Sequence, residues 1–314
     1  MQDEYTRSRG FALTLARRAV DDLRRDRFRQ LRNYVDLCQA LAKKSRYNEF
    51  FSRAQEVLQR ADSLYDSLIQ TLLDQVDGER LCGFGVNFGA GGIVYGAARL
   101  KEEIERTGCP GAWLNTAHCA SAGLEEAVSR AEEAGKYVWI LYAEDAVAAA
   151  RGAALTEAHP FSAFALVAVP RVFNAMPADA FDDCCNLNLG VLLPGMHLDE
   201  EACLAAQRMQ ERRLLFGFAV LVDDASVARA VDPQWLEELS RWAPMCMYAR
   251  KPDMSEAAAR DLRKAVIALR TESAAPLLLL EWDGDLQAVN RGISDHAVVG
   301  APVDAQASFP FSRG

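Results

Sequence analysis

The sequence lacks the cysteine spacings from which structural metal sites are built. None of its eight cysteines forms a CxxC or CxxxC pair, and no HxxxH spacing occurs. Only Cys184 and Cys185 lie close together, and adjacent cysteines seldom form a disulfide with each other. Scattered cysteines in apolar surroundings are typical of small buried residues in a reducing compartment. The pattern therefore predicts neither a structural zinc site nor a disulfide framework.

Long apolar runs and an apolar leader are also missing. A membrane helix needs about 20 predominantly apolar residues, and no uninterrupted run approaches that length. The first ten residues, MQDEYTRSRG, contain no apolar signal-peptide core. We therefore expect a cytoplasmic protein that does not insert in a membrane. With 314 residues and 50% hydrophobic composition, the chain can bury a large core.

Positive charge is scarce outside the N-terminal region. The formal net charge of −9 argues against general nucleic-acid binding. Residues 1–60 carry fourteen Lys or Arg and eight Asp or Glu, a surplus of six positive charges, so the remainder carries −15. The arginines that cluster there are Arg17, Arg18, Arg24, Arg25, Arg27, Arg29 and Arg32. They form either a basic patch for RNA or an acidic partner or, as we favour, a solvated helix face whose charge is partly offset by Asp21, Asp22 and Asp26.

The N-terminal region has a helical pattern. Gly and Pro are absent between Ala12 and Val76, and apolar residues recur near helical spacing, which predicts a helical segment over residues 1–77. The next stretch, CGFGVNFGAGGIVYG, is rich in glycine and precedes a helix. Such a segment can bind phosphate, but it matches neither GxxxxGK[ST] nor a dinucleotide fingerprint. Tight helix packing and a flexible hinge are the alternatives, because glycine permits both.

From Gly111 onward, short apolar runs alternate with helical patterns, as in βα units with a parallel sheet. Within residues 78–252 we predict six strands, near 112–116, 137–142, 163–169, 187–193, 216–222 and 245–248. A helix over 255–272 and a strand over 277–282 are predicted in a C-terminal extension, residues 253–314. The fold class is thus α/β: a partial (β/α)6 TIM-like barrel with an N-terminal helical segment and a C-terminal extension. Its ligand site should lie at the C-terminal ends of the strands.

Four segments carry a resemblance to a known family. They are RADSLYDSLIQTLLDQVD, YGAARLKEEIERTGCPGAWLNT, EEAVSRAEEAGKYVWILYAED and SAAPLLLLEWDGDLQAVNRGISDH. In the order of these segments, the chain from about Arg60 to Ser312 resembles radical S-adenosylmethionine (radical SAM) proteins that begin with helices and end in a SPASM-like, cysteine-bearing extension. The resemblance implies a partial TIM barrel. In that family the loop after the first strand carries CxxxCxxC, three thiolates that hold a [4Fe-4S] cluster.

The chain departs from the family at the places where that chemistry is held. The first loop, NTAHCASAGLEE, offers Cys119 alone, and one thiolate cannot hold four irons. A GGEP-like segment is replaced by YAED at residues 142–145, and residues 290–314 contain no cysteine. We therefore expect no cofactor. The departures imply a non-catalytic, degenerate radical-SAM-like pseudoenzyme that acts as a partner, scaffold or substrate-handling subunit for a genuine radical SAM enzyme, or that forms a homo-oligomer.

Polar residues predicted at the strand ends define a candidate ligand-binding mouth of the barrel. They are Asn115, His118, Cys119, Tyr142, Glu144, Asp145, Arg171 and Arg250. Such a set can bind an anionic or zwitterionic molecule, so the alternative function is a small-molecule-binding protein or a non-radical enzyme that uses this mouth. No metal is predicted there. His118 and Cys119 are adjacent and should point apart, and Glu144 and Asp145 also fit a helix N-terminus, where acids offset the helix dipole.

Overall fold

The computed structural model describes residues 2–26, 29–30, 64–272 and 275–303. Within this part, the N-terminal region is helical, as the sequence predicts. Its first two helices are α1 (Gln2–Arg25) and α2 (Leu64–Gln75). The predicted features that lie outside the described residues are Arg27, Arg32, Cys38, the middle of the N-terminal helical segment and the end of the C-terminal extension.

A continuous helix of 30 residues precedes the first strand and contains the glycine-rich segment. It comprises α3 (Gly78–Val86), a π-helix (Asn87–Gly96) and α4 (Ala97–Thr107). By length and composition alone, this helix is long and apolar enough to cross a membrane. However, the buried amide of Asn87 donates hydrogen bonds to the carbonyls of Pro160 (2.9 Å) and Ser162 (2.8 Å). These bonds fasten the helix to the folded core, and its apolar composition serves that packing.

The glycines of the π-helix allow close contact with neighbouring elements. A Cβ at Gly91 would overlap the hydroxyl of Tyr5, and a Cβ at Gly92 would overlap Cγ2 of Val138. Tyr5 in turn stacks on Tyr95 of the same π-helix, with ring centroids 5.1 Å apart. Of the three roles considered for this segment, the structure supports tight helix packing.

Eight parallel strands form one sheet, so the predicted six-stranded barrel is corrected to an eight-stranded sheet. They are β1 (Gly111–His118), β2 (Val138–Tyr142), β3 (Ala163–Ala168), β4 (Leu187–Leu193), β5 (Phe216–Val222), β6 (Met245–Arg250), β7 (Leu278–Glu281) and β8 (Ala297–Pro302). Their order is β7-β6-β5-β4-β3-β2-β1-β8, and the sheet curls into a half-barrel. The sequence predicts β1 to β7 but not β8. That strand is a short run with Gly and Pro, residues that weaken a strand pattern, and among the described strands it pairs with β1 alone.

Different helices bury the two faces of the sheet. On the outer face lie α5 (Leu124–Glu133), α6 (Ala146–Ala158), α7 (Pro170–Ala175), α8 (Glu200–Glu211), α9 (Val227–Ala230), α10 (Pro233–Trp242) and α11 (Glu256–Glu272). In β2, Trp139 and Leu141 point to this face, whereas Val138 and Ile140 point to the inner face. Because both faces are buried, the central strands are continuous apolar runs.

The last helix lies on the inner face instead. In α12 (Trp282–Ile293), Leu286, Val289 and Ile293 pack with α4 against inner-face residues of the sheet. The chain leaves β7 at one edge and returns beside β1 as β8, so its connection must cross the sheet. A right-handed crossover in that direction places the helix on the face opposite to the others. As a result α12 lies inside the half-barrel, and β7 and β8 are the edge strands of the sheet as far as the structure describes it.

The packing role of the π-helix is tested by replacing Gly92 with Ala. The added methyl group would overlap Val138, so we expect a loss of roughly 1–3 kcal/mol in the free energy of unfolding. The matched control is Gly89→Ala in the same π-helix, where an added Cβ meets nothing within 4 Å. It should change stability by no more than about 1 kcal/mol, in the stabilising direction. Urea unfolding measures both, and an equal effect of the two substitutions would contradict the packing role.

Candidate functional site

Four of the eight predicted mouth residues meet beyond the ends of β1 to β3. His118 and Tyr142 are aligned in neighbouring strands, and their rings lie edge to face with centroids 5.2 Å apart. Glu144 Oε1 lies 3.4 Å from His118 Nδ1. Burial raises the pKa of the Tyr142 phenol, Glu144 raises it further, and Arg171 at the start of α7 opposes the rise. These four side chains form one small polar group.

Three other predicted residues take part in the fold itself. The carboxylate of Asp145 accepts a hydrogen bond from the Ala148 N–H at 2.8 Å and so caps α6, the helix-start role that the sequence also allows. Asn115 donates from Nδ2 to the Val138 carbonyl at 3.4 Å. Cys119 belongs to the outer-face core, away from His118. The first loop therefore brings no thiol to the mouth.

The cluster of the radical SAM family does not fit this loop. Cys119 is 4% exposed, and burial raises the pKa of its thiol to about 12. Iron is bound by the thiolate, which such a pKa disfavours. Within the described ranges, no group of three His, Cys, Asp or Glu side chains is placed to hold a metal ion. The residues of this loop thus do not fit the cofactor that the resemblance would bring.

The eighth predicted residue, Arg250, lines a different feature at the ends of β6 and β7. This is a cleft of about 640 Å³ between α11 and α12. Its charged lining residues are the cations Arg250, Arg260, Arg263, Lys264 and Arg291 and the carboxylates Glu256 and Asp283. The cleft is therefore positive in a chain whose net charge is −9. We call it the cationic cleft.

The upper part of the cationic cleft, at the strand ends, is held by a buried carboxylate. Glu281 ends β7 and is 0% exposed, and its Oε1 and Oε2 lie 3.4 Å from Arg250 Nε and 3.6 Å from Arg263 Nη1. Arg250 also pairs with Asp283 at 2.9 Å. Removing one partner of a buried ion pair costs about 3–5 kcal/mol, because the other charge is left uncompensated. These two arginines are therefore committed to the fold.

The lower part of the cleft, further from the strand ends, carries cations that form no ion pair with the described residues. Arg260 and Lys264 on α11 and Arg291 on α12 are exposed, and none has an ion-pair partner among the residues that the structure describes. Arg260 and Lys264 are four residues apart and share one face of α11, as Gln287 and Arg291 do on α12. The spacing of four residues in each pair is visible in the sequence and places both residues of a pair on one helix face. The sequence does not show that α11 and α12 lie side by side, so it does not predict the cleft.

Arg270 and Asp285 close the free edge of β7. The Arg270 Nε donates to the Leu279 carbonyl at 2.8 Å, and the Glu281 N–H donates to Asp285 Oδ2 at 2.8 Å. The two side chains also pair with each other. Leu278 bonds in the opposite direction, towards β6, through the Pro244 carbonyl. The side-chain pair thus takes the hydrogen bonds that an added strand would use, a common way to protect a sheet edge.

Comparison with known proteins adds no family to these observations. No protein-family profile matches the chain, and no curated protein matches it.

The edge pair is tested by Asp285→Asn. Burial disfavours the Asp285 carboxylate, but hydrogen bonds from Arg270 and Arg263 hold its pKa below the ordinary value. Because the folded pKa is lowered, the ion pairs stabilise the fold fully above the unfolded pKa of about 3.9, and this contribution is lost as pH falls through the folded value. At neutral pH we expect a loss of roughly 2 kcal/mol, since the site is only partly buried.

Urea unfolding near pH 7, 5 and 3 measures this difference, which should shrink at the lowest pH because the unfolded wild-type chain binds a proton at Asp285 below a pKa of about 3.9. The control is Asp261→Asn, an exposed position on α11 where we expect a change within about 0.5 kcal/mol. A difference that is as large at the lowest pH as at neutrality would contradict the ion-pair account.

Proposed function

We propose that this chain is a binding protein whose ligand is an anion held in the cationic cleft. The observation that carries the proposal is the group formed by Arg260, Lys264 and Arg291. These three cations line one cleft and have no ion-pair partners in the described part of the chain. Carboxylates outnumber cations in this protein, 44 to 35, yet none of the described carboxylates pairs with these three cations. An anionic ligand supplies the missing charge.

The position and size of the cleft support the same proposal. In parallel α/β sheets, ligands bind beyond the C-terminal ends of the strands; the cleft begins there, at Arg250 and Asp283, and continues between α11 and α12 to the three cations. Pockets for small molecules typically measure about 300–1,000 Å³, and this cleft measures about 640 Å³. Guanidinium, ammonium and amide groups on its walls all donate hydrogen bonds, which are strong when the acceptor is ionised.

The proposal is tested with inorganic pyrophosphate and thermal unfolding at constant ionic strength. A ligand present at a hundred times its Kd adds roughly 2.7 kcal/mol to stability. We expect this stabilisation in the wild type and its loss in the variant Arg260→Gln/Lys264→Gln/Arg291→Gln.

A matched control removes three exposed arginines elsewhere, Arg106→Gln/Arg130→Gln/Arg151→Gln, and so changes the net charge by the same amount. The control should respond to pyrophosphate as the wild type does. No response of the wild type, or an equal response of all three proteins, would contradict anion binding in the cleft.

We also propose, as a second candidate, the partner role that the resemblance implies: a non-catalytic, radical-SAM-like subunit of a protein assembly. Two observations favour it. The first loop does not fit a cluster, because Cys119 is buried with its pKa raised to about 12. In addition, the described sheet ends at β8, whose outer side pairs with no other described strand, and such an edge can accept a strand from a partner or from a second copy.

Anaerobic reconstitution with iron and sulfide tests the first half of this candidate. We expect an iron content far below four per chain, because the first loop offers one buried thiol. A brown protein with four irons that cleaves S-adenosylmethionine would contradict it. Light scattering of the purified chain, alone and with proteins that copurify at equal stoichiometry, tests the assembly; a monomer without such a partner would contradict the partner role.

A further inference from the structure

We infer that the ligand of the cationic cleft is a dianion with the chemistry of a phosphate monoester, bound in the lower part of the cleft by Arg260, Lys264 and Arg291. This inference rests on the proposed function and narrows it. It follows from three features of the described residues: the upper part is already satisfied, the charges of the whole cleft sum to a small positive value, and the free donors lie on two opposing helices.

In the upper part of the cleft, the protein's own side chains fill the space at the helix start. Barrel proteins often bind phosphate at a helix N-terminus near the last strands. Here Glu281 Oε2 accepts the Gly284 N–H in the first turn of α12 at 2.8 Å. A Cβ at Gly284 would lie 2.5 Å from the same oxygen and 2.6 Å from Arg263 Nε, so the protein's own side chains fill this position. An anion must therefore bind lower in the cleft.

The net charge of the side chains in the cleft and its ion-pair network indicates the charge of the ligand. The cations of the cleft and of its ion-pair network are Arg250, Arg260, Arg263, Lys264, Arg270 and Arg291. The carboxylates are Glu256, Glu281, Asp283 and Asp285. Six positive and four negative side chains leave a net charge of +2 when all are ionised. A ligand with two negative charges neutralises the group, whereas a singly charged ligand leaves one positive charge uncompensated.

The arrangement of the free donors fits a compact tetrahedral anion. Arg260 and Lys264 are separated by one turn of α11, about 6 Å along the helix axis, and Arg291 reaches the cleft from α12. An arginine fork binds two oxygens of one phosphate, and a lysine adds a point charge. Ile267, which is 50% exposed, lies beside these donors and offers an apolar contact for the organic part of an ester. The ligand class is therefore a small phosphate monoester.

Isothermal titration with two phosphate esters tests the charge of the ligand. Propyl phosphate is a dianion near pH 7.5, because its second ionisation has a pKa of about 6, whereas diethyl phosphate carries a single charge. We expect the monoester to bind about tenfold more tightly, since the additional charge strengthens hydrogen bonds to cations. Its affinity should fall near pH 5, where the ester becomes a monoanion while the arginines stay charged.

Two substitutions that each remove one negative charge test whether the local charge of the cleft controls binding. Glu256→Gln changes the net charge of the cleft and its ion-pair network from +2 to +3. It should tighten propyl phosphate binding about two- to threefold, because the removed carboxylate is exposed and its repulsion is screened by water. Glu103→Gln, an exposed position on α4, should leave the affinity unchanged. Equal effects of both substitutions would overturn the argument from local charge.

The outcomes of these experiments separate the inference of a phosphate monoester from the proposal that the cleft binds an anion. Equal affinity for the monoester and the diester would overturn the dianion inference, while a pyrophosphate response lost in the triple cleft variant would leave anion binding standing. Tighter binding of succinate than of propyl phosphate would overturn the phosphate chemistry. If neither ester nor pyrophosphate binds, both the inference and the proposed function are wrong.

Discussion

The cationic cleft depends on the contacts of one buried carboxylate, that of Glu281. It stands at the end of β7 with no exposure to solvent, and it joins Arg250 of β6, Arg263 of α11 and the first turn of α12. Two strands and two helices therefore meet at one negative charge. A buried carboxylate is tolerated only with such partners, so the contacts that satisfy Glu281 also hold the walls of the cleft in place.

The cleft exists because the half-barrel does not close between β7 and β8. In a closed barrel these strands would pair and the helices would all lie outside. Here α11 covers the outer face and α12 the inner face, so the two helices flank the edge of β7 and form the cleft between them. Arg270 and Asp285 occupy the hydrogen bonds of that edge, which keeps the strand from pairing with another. The gap between β7 and β8 is thus part of the fold.

The position of the positive charge in this protein differs from the position of the cluster site in radical SAM proteins. In that family the first loop holds the chemistry, but here the loop has a buried thiol and a polar group built by His118, Tyr142 and Glu144. The uncompensated positive charge lies beyond β6 and β7 instead. A protein can keep a barrel-like sheet and present a binding site at a different strand end, because each strand end is an independent position for side chains.

The sequence by itself determined the elements that depend on neighbouring residues. The apolar runs of β1 to β7, the capping role open to Asp145 and the opposite directions of His118 and Cys119 all follow from local periodicity and local hydrogen bonding. Only the tertiary structure decided that β8 pairs with β1, that α12 crosses to the inner face, and that Arg291 meets Arg260 in one cleft. These are contacts between segments distant in the chain, and no local pattern encodes which distant segment will be the neighbour.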